Sequence, residues 1–183
     1  MIPLKLALTA VIVALLTQPL WAPQWGGGIL AEIGAFGPAG AAIVVLVFFS
    51  LVALYCLSLQ RMLEAIAPAK RAASPRSVWL MFVIPSNFVE DFFIVGSIAA
   101  SLRNDGRTHA RTQLVWLILG MSWCGLQIVS LLPGPVGVVS GGIALLAWAA
   151  HWMLTNHMTR ALLDSSPSEV PAPSAGQAPA SRA

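Results

Sequence analysis

Two adjacent acidic residues, Glu90 and Asp91, are the side chains best able to do chemistry in this sequence, because they lie in the mostly apolar stretch 78–102. An ionised carboxylate at the centre of a bilayer costs roughly 2.5–3.5 kcal/mol, so both acids need an explanation. Neighbouring residues of a helix point about 100° apart, and the two carboxylates therefore cannot act as one dyad. With Asn87 they form the candidate functional polar cluster, whose chemistry would be an ion- or proton-responsive site.

A purely structural role for the same residues is the alternative. Pro85 removes a helical hydrogen bond and disfavours helix at Ile84, so a straight lipid-exposed helix is not expected over this stretch. Asn87 is suited to cap a helix that starts near Phe88. The acidic pair then lies in the first helical turn, where negative charge favours the positive end of the helix dipole. Pairing with arginines of the neighbouring loops would complete this interpretation.

A serine and a histidine, Ser122 and His151, resemble the nucleophile and base of intramembrane proteases, which lie on different helices. With a turn centred at Gly134, however, the two residues differ in depth by about 7 Å, beyond the hydrogen-bond reach of about 3 Å. His151 and His157 fall on different faces of one helix and cannot bind one metal together. We interpret His151 as an amphipathic residue near a helix end. The sequence predicts no enzyme, no cofactor and no metal site.

The composition indicates an integral membrane protein. Of the 183 residues, 57% are hydrophobic and 9% are charged, whereas soluble domains carry about 25% charged residues. This excludes a soluble enzyme and a disordered protein. The net charge of +3 comes without a basic recognition motif, so we expect no nucleic-acid partner. Cys56 and Cys124 lack the spacing of a disulfide framework or zinc site and are interpreted as buried hydrophobes.

The predicted fold is an all-α polytopic membrane protein in which four transmembrane helices accompany a broken re-entrant or interfacial helical segment. A crossing needs about 20 residues, and the predicted spans are about 4–22, 36–59, 114–132 and 136–157. Pro133-Gly134-Pro135 predicts a tight antiparallel hairpin between the last two spans.

The two ends of the sequence carry separate predictions. The first apolar segment could also be a secretory signal peptide, but Leu20 and Pro23 fit cleavage poorly and we expect it to be retained. Residues 1–163 are predicted to form a single transmembrane domain. Residues 164–183 are rich in Pro, Ala and Ser and are predicted to be a disordered cytoplasmic tail.

The stretch 78–102 is predicted to enter and leave the membrane on one side. Basic residues lie in both loops that flank it: Arg61, Lys70, Arg71, Arg76, Arg103, Arg107 and Arg111. Because cytoplasmic loops collect Lys and Arg, a full crossing would place one basic loop outside. A returning segment instead makes all ten basic residues cytoplasmic and leaves only Glu32 outside. The predicted location is the bacterial cytoplasmic (inner) membrane, with both termini inside.

The stretch from Tyr55 to Asn104 resembles a family of small bacterial multi-spanning membrane proteins of unknown function. The resemblance is carried by a broken-helix motif, Val-Trp-Leu…Ile-Pro-x-Asn, and its surroundings: Ser74-Pro75, Val78-Trp79-Leu80, Ile84-Pro85, Asn87, Ile94-Val95 and Ser101-Leu102. It implies architecture rather than chemistry. The family usually has aromatic and amide residues where this chain has Glu90 and Asp91.

Small residues in the last two predicted spans suggest how the helices pack. Gly120, Gly137 and Gly141 would let membrane helices approach closely, either within the hairpin or against another chain. We therefore expect a non-enzymatic integral membrane scaffold or accessory subunit that packs against a membrane complex. Its partners would be the lipid bilayer and either another membrane protein or further copies of itself. The alternative is a small transporter or channel with a polar path around Pro85 to Asp91.

Overall fold

The computed structural model describes residues 2–27 and 33–165, and every element within them is helical. The α-helices are α1 (Ile2–Leu16), α2 (Gln18–Trp21), α3 (Gly37–Glu64), α4 (Asn87–Asp105), α5 (Ala110–Val129) and α6 (Pro135–Asp164). Three 3₁₀-helices lie between them, at Pro23–Trp25, Pro68–Lys70 and Pro75–Phe82. The all-α prediction is confirmed. Glu32 and residues 166–183 lie outside the described residues, so the predictions on the outer charge and the tail stay predictions.

Three helices, α3, α5 and α6, are long and apolar enough to cross a membrane. The sequence predicts four such helices. The first predicted span, 4–22, is split: α1 has 15 residues, or about 22 Å, and ends before Thr17. The short α2 follows, with Pro19 at its start. Since Pro has no N–H to donate, it cannot continue the hydrogen-bond ladder of α1.

The long helices begin and end where the sequence contains Pro and Gly. Pro38 and Pro135 lie in the first turns of α3 and α6, where the missing N–H needs no partner. Gly106 ends α4 with φ 75°, and Gly134 precedes α6 with φ 82°. Both glycines adopt a left-handed backbone conformation that other residues reach only at a cost, and they fix the two sharp turns of the helical bundle.

The segment 72–105 leaves one end of the bundle and returns to the same end. Its two ends are joined by hydrogen bonds from Ala72 N to Ser101 Oγ (2.9 Å) and from Lys70 Nζ to the Asp105 carbonyl (2.9 Å). We call this segment the returning segment. Between its ends the 3₁₀-helix Pro75–Phe82 leads to residues 83–86, where a cis peptide joins Ile84 to Pro85, and α4 runs back.

The first half of the returning segment packs along α3. Trp79 Nε1 donates a hydrogen bond of 2.8 Å to Gln60 Oε1, and Phe82 stacks on Phe49 with ring centroids 5.9 Å apart. Gln60 and Phe49 are separated by about 16 Å along the helix axis. The turn at 83–86 therefore lies deep beside α3, far from the end where the segment starts.

The main hydrophobic core extends from the end of the bundle from which the returning segment leaves to Trp123 of α5 and Ala144 of α6. It consists of the last turns of α3 from Tyr55 onward, together with α4, α5 and α6. A smaller cluster of Ile12, Val89 and Leu131 joins α1 to the first turn of α4 and the end of α5. In α3, no residue before Tyr55 is buried, so the first part of this helix projects beyond the core.

Candidate functional site

The two adjacent acids of the candidate polar cluster face different surroundings, as their helical spacing predicts. Glu90 accepts two hydrogen bonds from Lys5 Nζ on α1, at 2.7 and 2.8 Å. The same ammonium lies 4.2 Å from the centroid of the Phe93 ring. The charge of Glu90 is therefore compensated by an ion pair between α1 and α4.

The expected pairing of these acids with loop arginines is wrong. Glu90 lies near the start of α4, about 22 Å along the helix from Asp105, and Arg107 bonds to Asp105 instead, at 2.7 Å. The acids and the arginines therefore lie at opposite ends of α4. Distance along the helix excludes the pairing.

Asp91 is buried, with 3% of its surface exposed. Its Oδ2 accepts a hydrogen bond of 2.7 Å from Gln127 Nε2 on α5. Its Oδ1 is buried and has no hydrogen-bond partner within residues 2–27 and 33–165. The sequence analysis did not identify Gln127. A polar amide side chain inside a predicted transmembrane span could have indicated it as a partner for a buried acid.

Asn87 does not cap α4, contrary to the structural interpretation. The helix begins at Asn87 itself, Ser86 occupies the preceding position, and that position makes no side-chain capping bond. Because α4 starts one residue earlier than expected, Asn87 lies inside the helix, on the same face as Asp91 four residues later. In the described part of the chain, Asn87 Oδ1 is also buried without a partner.

A second polar group lies in the main core around His151. Its Nδ1 is 2.8 Å from the Tyr55 hydroxyl oxygen, and its ring centroid is 4.4 Å from that of Trp116. His151 is 0% exposed, so its interpretation as an amphipathic residue near a helix end is wrong. The reason is that α6 continues to Asp164, which places His151 well inside the helix. Ser122 is exposed and does not face it.

Aromatic rings enclose the Tyr55 side chain. Rings with centroids 5.5–6.0 Å away belong to Trp123, Trp148, His151 and Trp152. All four approach Tyr55 at steep angles, in the edge-to-face arrangement that aromatic pairs favour. Trp152 Nε1 also donates a hydrogen bond of 2.8 Å to Ser58 Oγ. The Tyr55–His151 pair is thus held rigidly among α3, α5 and α6, which suits packing better than proton transfer.

The three glycines predicted to mediate packing differ in how closely they are approached. A Cβ at Gly120 would lie 2.8 Å from both His151 Nε2 and Val95 Cγ1. A Cβ at Gly137 would overlap the Leu132 carbonyl oxygen. A Cβ at Gly141 would make only an ordinary contact, 3.5 Å from a side-chain carbon of Ser130. Gly120 and Gly137 therefore serve contacts within this chain.

Among the described residues, no group of three or more His, Cys, Asp and Glu side chains could hold a metal ion. At the start of α4, a carboxylate oxygen of Asp91 and the amide oxygen of Asn87 are buried hydrogen-bond acceptors without a partner among the described residues. Such a pair can take a proton or a hard cation, which prefers oxygen ligands. Comparisons of the chain with protein-family models, curated proteins and solved structures give no match.

Proposed function

We propose that the chain is an integral protein of the bacterial cytoplasmic membrane with its basic end in the cytoplasm. The three spanning helices support a membrane location. The orientation is supported by the joined ends of the returning segment, since both flanking loops are basic and cytoplasmic loops collect Lys and Arg. The end of α6 is then cytoplasmic, because Arg107 donates a hydrogen bond to the Leu162 carbonyl oxygen. The start of α1 does not lie at the basic end, because Lys5 pairs with Glu90 at the opposite end of α4, so a cytoplasmic N-terminus is not part of this proposal.

In this orientation the returning segment is re-entrant. The hydrogen bonds between Ala72 and Ser101 and between Lys70 and Asp105 support it, because they join the two ends of the segment. Irregular backbone at membrane depth is tolerated where protein covers it. Just before the turn at 83–86, Phe82 stacks on Phe49 of α3, whereas Val83 and Ile84 are exposed, so we expect a partner or a further copy to cover the turn.

The chain acts as a non-enzymatic scaffold or accessory subunit that packs against a membrane complex. The observation that carries this proposal is the first part of α3, which is apolar, projects beyond the core and contains no buried residue before Tyr55. Its large exposed side chains include Ile43, Leu46, Val47, Phe48, Leu51 and Leu54. Gly120 and Gly137 make close contacts within the chain, so we place the partner contact on the exposed apolar part of α3.

Photo-crosslinking in intact cells tests this proposal. A photoreactive amino acid at Leu46 (69% exposed) should give one discrete protein adduct, and so should the neighbouring exposed positions of α3. Leu146 on α6, 73% exposed, is the matched control and should contact lipid only. An adduct of twice the chain mass identifies a second copy. Recovery of an uncrosslinked monomer at every α3 position contradicts the scaffold proposal.

A small transporter or channel is the second candidate, and Asp91 is the observation that favours it. Intramembrane ionisable residues often mark ion paths or proton relays, and the Asp91 carboxylate has an unpaired oxygen. Ion flux into proteoliposomes separates the candidates. A flux that is lost in Asp91→Asn but kept in Glu90→Gln supports transport. A flux equal in the wild type and Asp91→Asn opposes it.

A further inference from the structure

Two buried side-chain oxygen atoms on one face of α4 lack a hydrogen-bond partner among the described residues. Asn87 Oδ1 and Asp91 Oδ1 are both hydrogen-bond acceptors, and neither has a partner among the described residues. The two residues are four positions apart on a helix, a spacing that brings side chains together at about 5–6 Å between Cβ atoms. Unpaired buried acceptors are costly, so two on one face indicate a shared ligand that donates to both.

The side chains around Asp91 do not supply a positive charge. Gln127 on α5 donates to the other carboxylate oxygen of Asp91. Tyr55, Cys56 and Cys124 are the titratable groups of α3 and α5 that interact electrostatically with Asp91. Lys5 on α1 approaches the start of α4, but its ammonium bonds to Glu90 and not to Asp91.

The helix dipole does not compensate Asp91 either. Asp91 lies five residues into α4, which begins at Asn87, and the effect of the dipole falls off within the first turn. A bare carboxylate would thus be buried with one hydrogen bond and no counter-charge. A buried acid in this position is neutralised by binding a cation.

We propose that Asp91 and Asn87 form a binding site for a small monovalent cation, H⁺ or Na⁺. A proton on Asp91 Oδ1 would convert that atom into a donor toward Asn87 Oδ1 and satisfy both atoms with one hydrogen bond. A sodium ion would lie between the two oxygens, since it prefers oxygen ligands. Broken helices of membrane transporters commonly provide sites for these two ions. The inference rests on the membrane placement proposed above and goes beyond the scaffold function.

Infrared difference spectroscopy of the full chain in lipid nanodiscs tests the site. The protonated carboxyl group has a C=O stretch of its own, separate from that of the carboxylate. In choline chloride, this band should be present in the wild type, lost in Asp91→Asn and kept in Glu90→Gln, the control acid whose charge Lys5 compensates. In the wild type and in Glu90→Gln, the band should also weaken as the buffer becomes alkaline.

Replacing choline chloride by sodium chloride distinguishes the two ions. If the ligand is Na⁺, sodium should remove the band and raise the melting temperature of the wild type, with neither effect in Asp91→Asn. Asn87→Ala should then raise the sodium concentration required several-fold. If the ligand is H⁺, sodium and choline should give the same band. The proposal is overturned if the wild type shows neither an Asp91-dependent band in any buffer nor a sodium effect on melting.

This outcome is independent of the other proposals. Cysteine labelling of the loops reports the membrane placement without using Asp91, and crosslinking from α3 reports the partner. A negative infrared result with a positive labelling result therefore removes the cation site alone.

Discussion

Glu90 and Asp91 are adjacent and chemically alike, yet one is compensated and the other is not. Helical geometry predicts from the sequence that they point apart, and the structure agrees. Their partners could not be predicted, because Lys5 is 85 positions from Glu90 and Gln127 is 36 positions from Asp91. Contacts over such separations depend on which helices pack together. No local pattern of residues in the sequence indicates which helices do so.

The Lys5–Glu90 ion pair should stabilise the contact between α1 and α4. Lys5→Met leaves Glu90 without its counter-charge and should lower the melting temperature of the protein in lipid nanodiscs. The double variant Lys5→Met/Glu90→Gln should recover part of this loss, because it removes the uncompensated acid as well. A double-mutant cycle should give a coupling energy of about 0.5–2 kcal/mol, the range for polar contacts between membrane helices. Strictly additive effects would show that the pair does not contribute.

The core around His151 requires a small residue at position 120. Gly120→Ala would push a methyl group against His151 and Val95, both 2.8 Å from the new carbon, and overpacking typically costs about 1–3 kcal/mol. We expect a lower melting temperature. Gly125→Ala, on the same helix with nothing within 4 Å of the added carbon, is the matched control and should melt near the wild type. Equal melting of the two variants would contradict the close approach of α5 to His151.

At the scale of helices, hydropathy predicts well where an element is uniformly apolar and poorly where proline interrupts it. The spans corresponding to α3 and α5 were predicted within five residues at each end, and the start of α6 within one, but α6 continues seven residues beyond the predicted end at 157. The tight hairpin at Gly134 follows from its flanking prolines. The predicted first span is interrupted at Thr17, because Pro19 ends the ladder of α1. The first half of the returning segment forms a 3₁₀-helix rather than an α-helix, and no periodicity in the sequence distinguishes the two.

Arg107 connects the ends of three helices at the basic end. It donates hydrogen bonds to the carbonyl oxygens of Ala65 (2.7 Å) and Leu162 (2.9 Å) and to Asp105 Oδ2 (2.7 Å). Arg107→Lys keeps the charge but loses the planar fork that reaches all three acceptors. We expect the free energy of unfolding to fall by about 1–3 kcal/mol, the order of one hydrogen bond to a charged group.

Arg103→Lys is the control for Arg107→Lys, since Arg103 is an exposed residue in the last turn of α4, close to Arg107 in sequence. Thermal melting of both variants in the same nanodiscs measures the difference. If Arg103→Lys destabilises the protein as much as Arg107→Lys does, general charge effects at the basic end explain the loss, and the specific bonds do not.

For the whole molecule, the few charges bear on a point of topology that the hydropathy leaves open. Hydropathy alone permits the returning segment to cross, since 78–102 is long enough. The basic loops on both sides argue for a return, and the hydrogen bonds between its ends support the same arrangement. What the sequence could not indicate is that the main core includes α3 only from Tyr55 onward and leaves the first part of that helix without buried residues.

Cysteine labelling in intact cells tests the arrangement of the whole molecule. Ser74→Cys lies at the start of the returning segment and His109→Cys lies just after its end, both at exposed positions. Leu132→Cys lies at the opposite end of the bundle, 40% exposed in the wild type. The native Cys56 and Cys124 are 0% exposed and should react little. A membrane-impermeant maleimide added outside should label position 132 only, and permeabilisation should expose 74 and 109 together. Labelling of 74 and 109 from opposite sides would mean that α4 crosses the membrane, because a re-entrant segment keeps both of its flanking loops on one face.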